Sequence, residues 1–266
     1  MAEEKQDVQN ISIPVVGDII SAVKEAAEFA AMMRDVGYGD AEGRKNGPNF
    51  ATGADRAVEG ILHSALSRLD PDAGFISEDD PHESTNGRYW IVDPIDGTAN
   101  FAAGLDFAVS AAYAIEDGTV VAGAVYSPSA HVSYWAVIGQ GAYMKEDGGK
   151  EEHLSFSKKR ASNGNLLFGM PRDPKKAARV FGNVSCVSHL FDDVKRYGPT
   201  SLDICRTASG PACAYLGMEP EEWDIAAAGL VVEEAGGTLT LPEGTDVIAA
   251  GHSDYVDEMI SLLGLA

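Results

Sequence analysis

Residues 90–101, WIVDPIDGTANF, pass from an apolar strand into a turn, and two aspartates stand where the two meet. An Asp-Gly pair such as Asp96-Gly97 is by itself typical of a turn or of a helix N-cap. Asp93 is harder to explain in that way, because a carboxylate that closes an apolar strand is costly to bury unless something pairs with it. The stretch therefore predicts a partner for Asp93 at the end of this strand.

Three further acids begin or end elements in the same way. Glu78 follows the short strand AGFIS, Asp55 opens a helix after FATGA, and Asp224 opens another helix. Each acid alone is typical of a helix cap or of a solvated side chain, but together they indicate carboxylates that converge on one place. Converging carboxylates cannot all ionise unless cations lie among them. Oxygen ligands of this kind favour Mg²⁺, with Mn²⁺ as the alternative.

A site of this kind suits the hydrolysis of a phosphate ester. Bound Mg²⁺ neutralises phosphate oxygens, lowers the pKa of a water and stabilises the leaving alkoxide. The backbone N–H groups of Gly97 and Thr98, at a predicted helix start, can hold the phosphate as well. The residues therefore favour metal-assisted hydrolysis of a phosphate monoester.

Composition restricts the partners and the location. The 266 residues carry a net charge of −21, which argues against nucleic acid and against an anionic membrane surface as partners. There is no bilayer-spanning apolar run and no signal-peptide pattern at the N-terminus. Three cysteines without CxxC spacing, and the lack of an HExxH motif, make zinc improbable. We therefore expect a cytoplasmic protein with a small-molecule partner, whose acidity serves solubility or adaptation to high salt.

The first half of the chain combines helices with an antiparallel sheet. Apolar residues recur at helical spacing in residues 15–36 and 55–70. Residues 107–144 alternate instead, with Asp117-Gly118 as a hairpin turn. We expect residues 1–150 to form this part and to carry most of the metal ligands.

The second half begins after KEDGGKEEH, where the pattern changes. Strands such as NLLFGM then alternate with helices, one of which starts at Pro174. We expect residues 151–266 to form an α/β domain that carries Asp224 and the loop that meets the substrate.

Five motifs occur in a recognisable order between Lys45 and the VIAAG stretch near the C-terminus. They are KNGPNFATGAD, GFISEDD, WIVDPIDGTANF, RYGPTSLDICRTASG and EEWDIAAAGLVVEEAGG. In this order the motifs resemble those of the inositol monophosphatase family of Mg²⁺-dependent, lithium-sensitive phosphatases. The resemblance implies an α/β (α+β) fold, a layered α-β-α-β-α sandwich of the inositol monophosphatase and fructose-1,6-bisphosphatase type. It also implies a homodimer.

The resemblance implies two principal metal sites that share Asp93. The first uses Glu78, Asp93 and the carbonyl of Ile95. The second uses Asp93, Asp96 and Asp224, and a weaker third depends on Glu78. The family pattern thus implies two to three Mg²⁺ ions per subunit.

The implied catalytic residues lie around these metals. Thr98, paired with Asp55, positions the attacking water and helps to deprotonate it, and Glu78 belongs to the catalytic set as well. Lys45 matches a lysine of the family's mobile loop, although a solvated loop lysine is the alternative interpretation. The loop from Gly198 to Ser201 meets the alcohol part of the substrate. The implied substrate contacts are Gly97, Thr98, Gly198, Thr200 and Asp224.

The sequence departs from the family pattern where the alcohol binds. Gly217, seven residues before Asp224, stands where inositol-specific members carry a glutamate that contacts ring hydroxyls. Pro211 and Cys213 replace the usual Arg and Asp of a GRxD segment. The missing carboxylate at Gly217 predicts poor discrimination between esters, and space for a larger alcohol, with Glu219 among the nearby acids that offer a substitute.

Several functions stay open at this level. The leading one is hydrolysis of a small polyol or sugar phosphate, with inositol 1-phosphate first. Fructose 1,6-bisphosphate, histidinol phosphate and 3′-phosphoadenosine 5′-phosphate are alternatives within the family. Asn100-Phe101 favours the inositol branch over the histidinol branch, and the basic segment PRDPKK offers a grip for a nucleotide. A non-catalytic regulator that keeps the fold is the alternative of another class, and the retained acids argue against it.

Overall fold

Two β-sheets alternate with three layers of helices in the computed structural model of this protein. The structure describes residues 15–36, 53–78, 87–115, 117–156 and 164–265. One helix layer covers the outer face of each sheet, and the third lies between the sheets. The predicted α-β-α-β-α sandwich is confirmed.

The first sheet has seven strands in the order of the chain, β1 to β7. The β1–β2 pair is parallel and every later pair is antiparallel. The predicted hairpin turn at Asp117-Gly118 joins β3 and β4, and Gly118 takes a φ of 85° there. The strands are β1 (Gly74–Ser77), β2 (Arg88–Asp96), β3 (Ala108–Ile115), β4 (Val120–Ser127), β5 (Val132–Val137), β6 (Gly141–Glu146) and β7 (Glu152–Leu154).

The second sheet has five strands in the order β11-β12-β10-β8-β9. The β8 strand runs parallel to both β10 and β9, whereas β12 runs antiparallel to β10 and β11. Central β10 is therefore flanked on both sides and fully buried. The strands are β8 (Asn165–Phe168), β9 (Asp193–Lys195), β10 (Ala214–Met218), β11 (Thr238–Thr240) and β12 (Val247–Gly251).

The helices follow the apolar spacing of the sequence. The outer layers are α1 (Val16–Asp35) with α2 (Gly53–Leu66) on the first sheet, and α4 (Pro174–Val187) with α7 (Ser253–Leu262) on the second. The middle layer is α5 (Thr200–Ala208) and α6 (Glu222–Glu234), and a short α3 (Thr98–Ala102) follows β2. Within the part of the chain that the structure describes, every helix is too short or too polar to cross a bilayer.

One close contact fixes the depth of α6 against the first sheet. A side chain at Gly123 of β4 would bring its Cβ to 3.0 Å from the Cα of Ala227 in α6. The glycine thus allows the helix to lie directly on the strand, as small residues do where backbones approach closely. Since Asp224 lies in the first turn of α6, this contact also helps to place its carboxylate.

The predicted division at residues 150 and 151 stays a prediction. The first sheet continues to Leu154 in β7, and α6 contacts both sheets. Lys45, predicted near the metals, lies outside the described residues.

Candidate metal centre

Three carboxylates meet where β2 ends and α6 begins. We call Asp93, Asp96 and Asp224 the acid cluster, because one oxygen from each lies within 4.8 Å of the others. Asp93 and Asp96 are each only 3% exposed, and Asp224 is half-buried. The predicted convergence of these acids is therefore present in the fold.

The β2 strand continues past Asp93, where the sequence predicted that it would end. Asp93 pairs with Ser110 and Asp96 with Ala108 of β3, and the register shifts between them. Pro94 has no N–H for the ladder, which accounts for an irregularity at this point. The irregular turn also folds the backbone onto the carboxylate, since Ile95 N donates to Asp93 Oδ1 at 3.0 Å.

Asp96 is not the N-cap of the helix that follows it. Gly97 takes that position with a φ of 87°, and the Asp96 carboxylate instead accepts hydrogen bonds from the start of α5. Thr200 N donates to Oδ1 at 2.8 Å, and Ser201 donates to Oδ2 through its N (2.7 Å) and its Oγ (2.6 Å). These bonds fasten the predicted substrate loop to one member of the acid cluster.

Burial and repulsion by neighbouring carboxylates raise the pKa of every member of the acid cluster, and for Asp96 the repelling charge is that of Asp203. Burial comes first for Asp93, followed by the charges of Asp96 and Asp224, and its pKa lies well above the ordinary value. Burial raises the pKa of Asp96 to about 6 even though Ser201 and Thr200 lower it. The pKa of Asp224 rises to about 7 through burial and the charge of Asp96. Three carboxylates in such a position are costly to ionise without a cation.

Glu78 and Asp55 lie close enough to act on the acid cluster. Glu78 directly follows β1 and is exposed, and Asp55 is buried in the first turn of α2. The charges of both raise the pKa of Asp93, and that of Glu78 also raises the pKa of Asp224. Their individual roles as ligand and as base stay predictions.

Thr98 and Ile95 meet at the edge of the acid cluster. Thr98 is buried, and its Oγ1 donates to the Ile95 carbonyl oxygen at 3.2 Å. That carbonyl is the predicted metal ligand, so the hydroxyl lies one hydrogen bond away from the proposed coordination shell.

The donor set fits a hard divalent cation. The acid cluster offers only carboxylate oxygens, and backbone carbonyl oxygen is available beside it at Ile95. Mg²⁺ and Mn²⁺ prefer such oxygen ligands, whereas zinc prefers nitrogen and sulfur. A bound cation would offset the repulsion that raises the three pKa values.

Sequence reasoning missed a second charge group, which we call the arginine cluster: the buried Asp203 with the half-buried Asp106 and Arg206. Arg206 donates through Nη1 to Asp203 Oδ1 at 2.9 Å and through Nη2 to Asp106 Oδ2 at 2.8 Å. Asp203 Oδ2 in turn accepts from Gly198 N at 3.2 Å, so the cluster holds the loop before α5. The three-residue spacing of Asp203 and Arg206 on a helix was the available signal.

Gly198 and Asn100 complete the support of this loop. Asn100 Nδ2 donates to Tyr197 O at 2.7 Å and to Asp106 O at 2.9 Å. Gly198 has a φ of 120°, and a Cβ there would lie 2.7 Å from Asn100 Nδ2. Only glycine therefore suits this position, and Asn100 has a structural role.

Comparison with known proteins agrees with this architecture and with the acidic motifs. The chain matches the inositol monophosphatase family over residues 4–260. Inositol-1-monophosphatase of Caulobacter vibrioides is 33% identical over 208 residues, which cover 76% of this chain and 80% of that protein. Histidinol-phosphatase of Mycobacterium tuberculosis is 36% identical over 199 residues, 73% of this chain and 74% of that protein.

A solved structure gives the same result for the fold. Mycobacterium tuberculosis SuhB superposes with a TM-score of 0.81 at 27% identity, over 96% of this chain and 98% of that one. Because the family match and the shared fold both span nearly the whole sequence, the chain belongs to the inositol monophosphatase family.

Proposed function

We propose that this chain is a Mg²⁺-dependent phosphomonoesterase that hydrolyses a small polyol or sugar phosphate, with inositol 1-phosphate as the leading candidate substrate. The acid cluster carries the proposal, because three adjacent carboxylates with raised pKa values, two of them buried and one half-buried, require a cation to ionise together. When bound there, Mg²⁺ would supply Lewis-acid stabilisation of phosphate oxygens and a water of lowered pKa. Mn²⁺ is the alternative cation.

We assign a separate role in binding to each of the protein's own groups. Asp93, Asp96 and Asp224 would hold the cation, together with Glu78 and the carbonyl of Ile95. The backbone amides of Gly97 and Thr98 would hold the phosphate. We assign Gly198, Thr200 and Asp224 to the substrate side, because Thr200 adjoins the acid cluster and Asp224 belongs to it.

Thr98 is suited to orient the attacking water. Its hydroxyl donates to Ile95 O, so its lone pairs can accept a hydrogen bond from that water. To accept the proton that the water gives up, Thr98 would have to turn its own hydroxyl proton from Ile95 O to Asp55 and transfer it there. Asp55 is a reasonable acceptor because it is buried and lies near Asp93, as the effect of its charge indicates. Lys45, which lies outside the described residues, would act beside the metals.

Four candidate substrates remain, and the relatives and the side-chain contacts favour them to different degrees. The relatives named above include an inositol-1-monophosphatase and a histidinol-phosphatase at similar identity, so histidinol phosphate is the second candidate. Asn100 no longer favours inositol 1-phosphate over histidinol phosphate, because its side chain supports the Gly198 loop. A nucleotide is less favoured, since Lys176 of the basic segment is paired with Glu219. That ion pair also weakens Glu219 as a substitute for the missing glutamate at Gly217. Fructose 1,6-bisphosphate stays an alternative.

The test is phosphate release from a panel of esters, before and after metal removal. Inositol 1-phosphate, histidinol phosphate, fructose 1,6-bisphosphate, 3′-phosphoadenosine 5′-phosphate and glycerol 2-phosphate would be supplied with Mg²⁺ or Mn²⁺, and then with excess chelator. We expect turnover that the chelator abolishes and Mg²⁺ restores. A folded protein that hydrolyses none of the esters with either cation would favour the non-catalytic regulator instead.

Size-exclusion chromatography would test the implied homodimer, and cell fractionation would test the cytoplasmic location.

A further inference from the structure

The space expected at Gly217 is filled by a tyrosine of the same strand. A Cβ at Gly217 would lie 2.9 Å from the Tyr215 hydroxyl oxygen, and a Cβ at Gly169 would lie 2.1 Å from it. Both distances are shorter than a carbon–oxygen contact allows. The expectation of space for a larger alcohol at Gly217 is therefore wrong. The structure offers a different place for selectivity, at the carboxylate of Asp96.

Asp96 acts as the cap that α5 does not supply for itself. The N-cap position is Pro199, whose side chain makes no capping hydrogen bond. The first amides of a helix have no partner within the helix, so Thr200 N and Ser201 N need an acceptor from outside. The Asp96 carboxylate arrives from β2 and accepts from both, at 2.8 and 2.7 Å. Two backbone groups therefore fix the orientation of this carboxylate.

The Ser201 hydroxyl adds a third hydrogen bond to the same carboxylate. Its Oγ donates to Oδ2 at 2.6 Å, and Oδ2 is the oxygen that already accepts from Ser201 N. Ser201 has no exposed surface, so water does not compete for this bond. The side chain of Ser201 thus loads one oxygen of Asp96 with a second donor.

The two oxygens of Asp96 are consequently unequal. Each oxygen of an ionised carboxylate has about two lone-pair positions for donors or cations. Both positions of Oδ2 are used by Ser201, whereas among the described residues Oδ1 accepts only from Thr200 N. Oδ1 therefore keeps one position for a cation, and Oδ2 keeps none.

Cations differ in how they use a carboxylate. Ca²⁺ takes six to eight oxygen ligands and readily binds both oxygens of one carboxylate, whereas Mg²⁺ requires near-octahedral geometry at shorter distances. A carboxylate that can offer only one oxygen therefore suits Mg²⁺ and withholds a ligand from Ca²⁺.

We infer that Ser201 is a positioning residue that sets cation preference: its hydroxyl occupies Oδ2 of Asp96, so that this carboxylate binds a cation through Oδ1 alone, which favours Mg²⁺ over Ca²⁺. The inference rests on the cation site of the proposed function, and it is independent of which ester is hydrolysed. Selectivity then comes from a neutral hydroxyl that does not itself touch the cation.

The experiment measures cation binding without any ester. Isothermal titration calorimetry of chelator-treated protein, at pH 8 and constant ionic strength, would give the Kd for Mg²⁺ and for Ca²⁺. Ser201→Ala removes the hydroxyl and keeps the backbone N–H. Ser127→Ala is the matched control, because Ser127 is equally buried and its Oγ donates at 2.8 Å to a carboxylate of the arginine cluster, that of Asp106.

We expect Ser201→Ala to lower the ratio of the Ca²⁺ Kd to the Mg²⁺ Kd about tenfold, mainly through tighter binding of Ca²⁺. The size is that of one hydrogen bond to a charged group. Ser127→Ala should leave the ratio unchanged, and Ser201→Thr, which keeps the hydroxyl, should stay near wild type. If Ser201→Ala does not fold, Ser201→Gly removes the same hydroxyl and carries the test.

Three results would overturn the inference: an unchanged ratio in folded Ser201→Ala, equal weakening of both cations, or the same fall in Ser127→Ala. Equal weakening would show that the hydroxyl only supports the start of α5. If wild type binds neither cation, the cation site and this inference fall together. If the ratio falls as expected but wild type hydrolyses no ester, the inference holds and the proposed function falls.

Discussion

The acid cluster and the arginine cluster are both groups of buried and half-buried carboxylates, but only the arginine cluster contains its own cation. In the arginine cluster, Arg206 lies between Asp203, which is 1% exposed, and Asp106. Burial raises the pKa of Asp203, and Arg206 lowers it. Around Asp93, the charges that act most strongly all come from other carboxylates, and each of them raises its pKa. The difference indicates that the arginine cluster stabilises the fold and that the acid cluster is suited to bind a cation.

The two clusters are also connected. Asp203 accepts from Gly198 N, and two residues further on Thr200 N donates to Asp96. One short loop therefore joins the arginine cluster to the acid cluster. The arginine cluster holds this loop in place, which lets the amides of α5 reach Asp96.

The largest expected effect follows from removing the shared acid of the acid cluster. Asp93→Asn should lower kcat by about 10³-fold or more, because metal assistance contributes several kcal/mol to such reactions. The variant should stay folded, since it removes a carboxylate whose neighbours repel it. Phosphate release and circular dichroism would be measured side by side. Wild-type kcat at low Mg²⁺ would contradict the assignment.

Arg206→Met, in contrast to Asp93→Asn, should strongly lower the free energy of unfolding. It leaves two carboxylates without their cation, and breaking a buried ion pair costs about 3 kcal/mol or more. Urea unfolding would measure this change. Arg179→Met is the matched control: Arg179 pairs with Asp246 at the surface, where the same substitution should cost less than about 1 kcal/mol. Equal losses in the two variants would remove the distinction between the clusters.

A smaller effect is expected at Thr98. Thr98→Ala should lower kcat about 10²-fold with little change in KM, because the hydroxyl acts on the attacking water. Thr98→Ser keeps the hydroxyl and should recover most of the rate. A rise in KM alone would make Thr98 a substrate contact.

The sequence predicted the elements and the site residues that depend on local pattern. Strand β2, its acidic end and the helix that carries Asp224 follow from apolar spacing and from the positions of the acids. The convergence of Asp93, Asp96 and Asp224 could be expected because buried carboxylates need partners. The prediction that β2 ends at Asp93 was wrong, because the chain resumes the ladder after Pro94 through a shifted register.

The sequence could not predict the features that depend on contacts between distant segments. Arg206 and Asp106 are 100 residues apart, and only the packing of α5 against β3 and β4 brings them together. The phenol of Tyr215 reaches Gly169 because β8 and β10 pair in parallel. A glycine in place of a glutamate indicates a missing side chain, but it does not show which neighbour fills the space.

Thermal unfolding of chelator-treated protein tests the acid cluster most directly. Asp96, with a pKa of about 6, and Asp224, with a pKa of about 7, keep protons that the unfolded chain releases near pH 4. The native state therefore binds more protons than the unfolded state between about pH 4 and pH 7, so this contribution to stability is lost as the pH rises through that range. The metal-free midpoint should be lower at pH 8 than at pH 5, and the drop should be smaller in Asp93→Asn.

At pH 8 and constant ionic strength, saturating Mg²⁺ should then raise the wild-type midpoint by about 5 °C or more, the shift expected from a ligand at about a hundred times its Kd. Asp193→Asn, which removes an exposed carboxylate beside Lys195, should respond as wild type does. Asp93→Asn should show little response. An equal rise in wild type and in Asp93→Asn would contradict the claim that these buried carboxylates form the cation site.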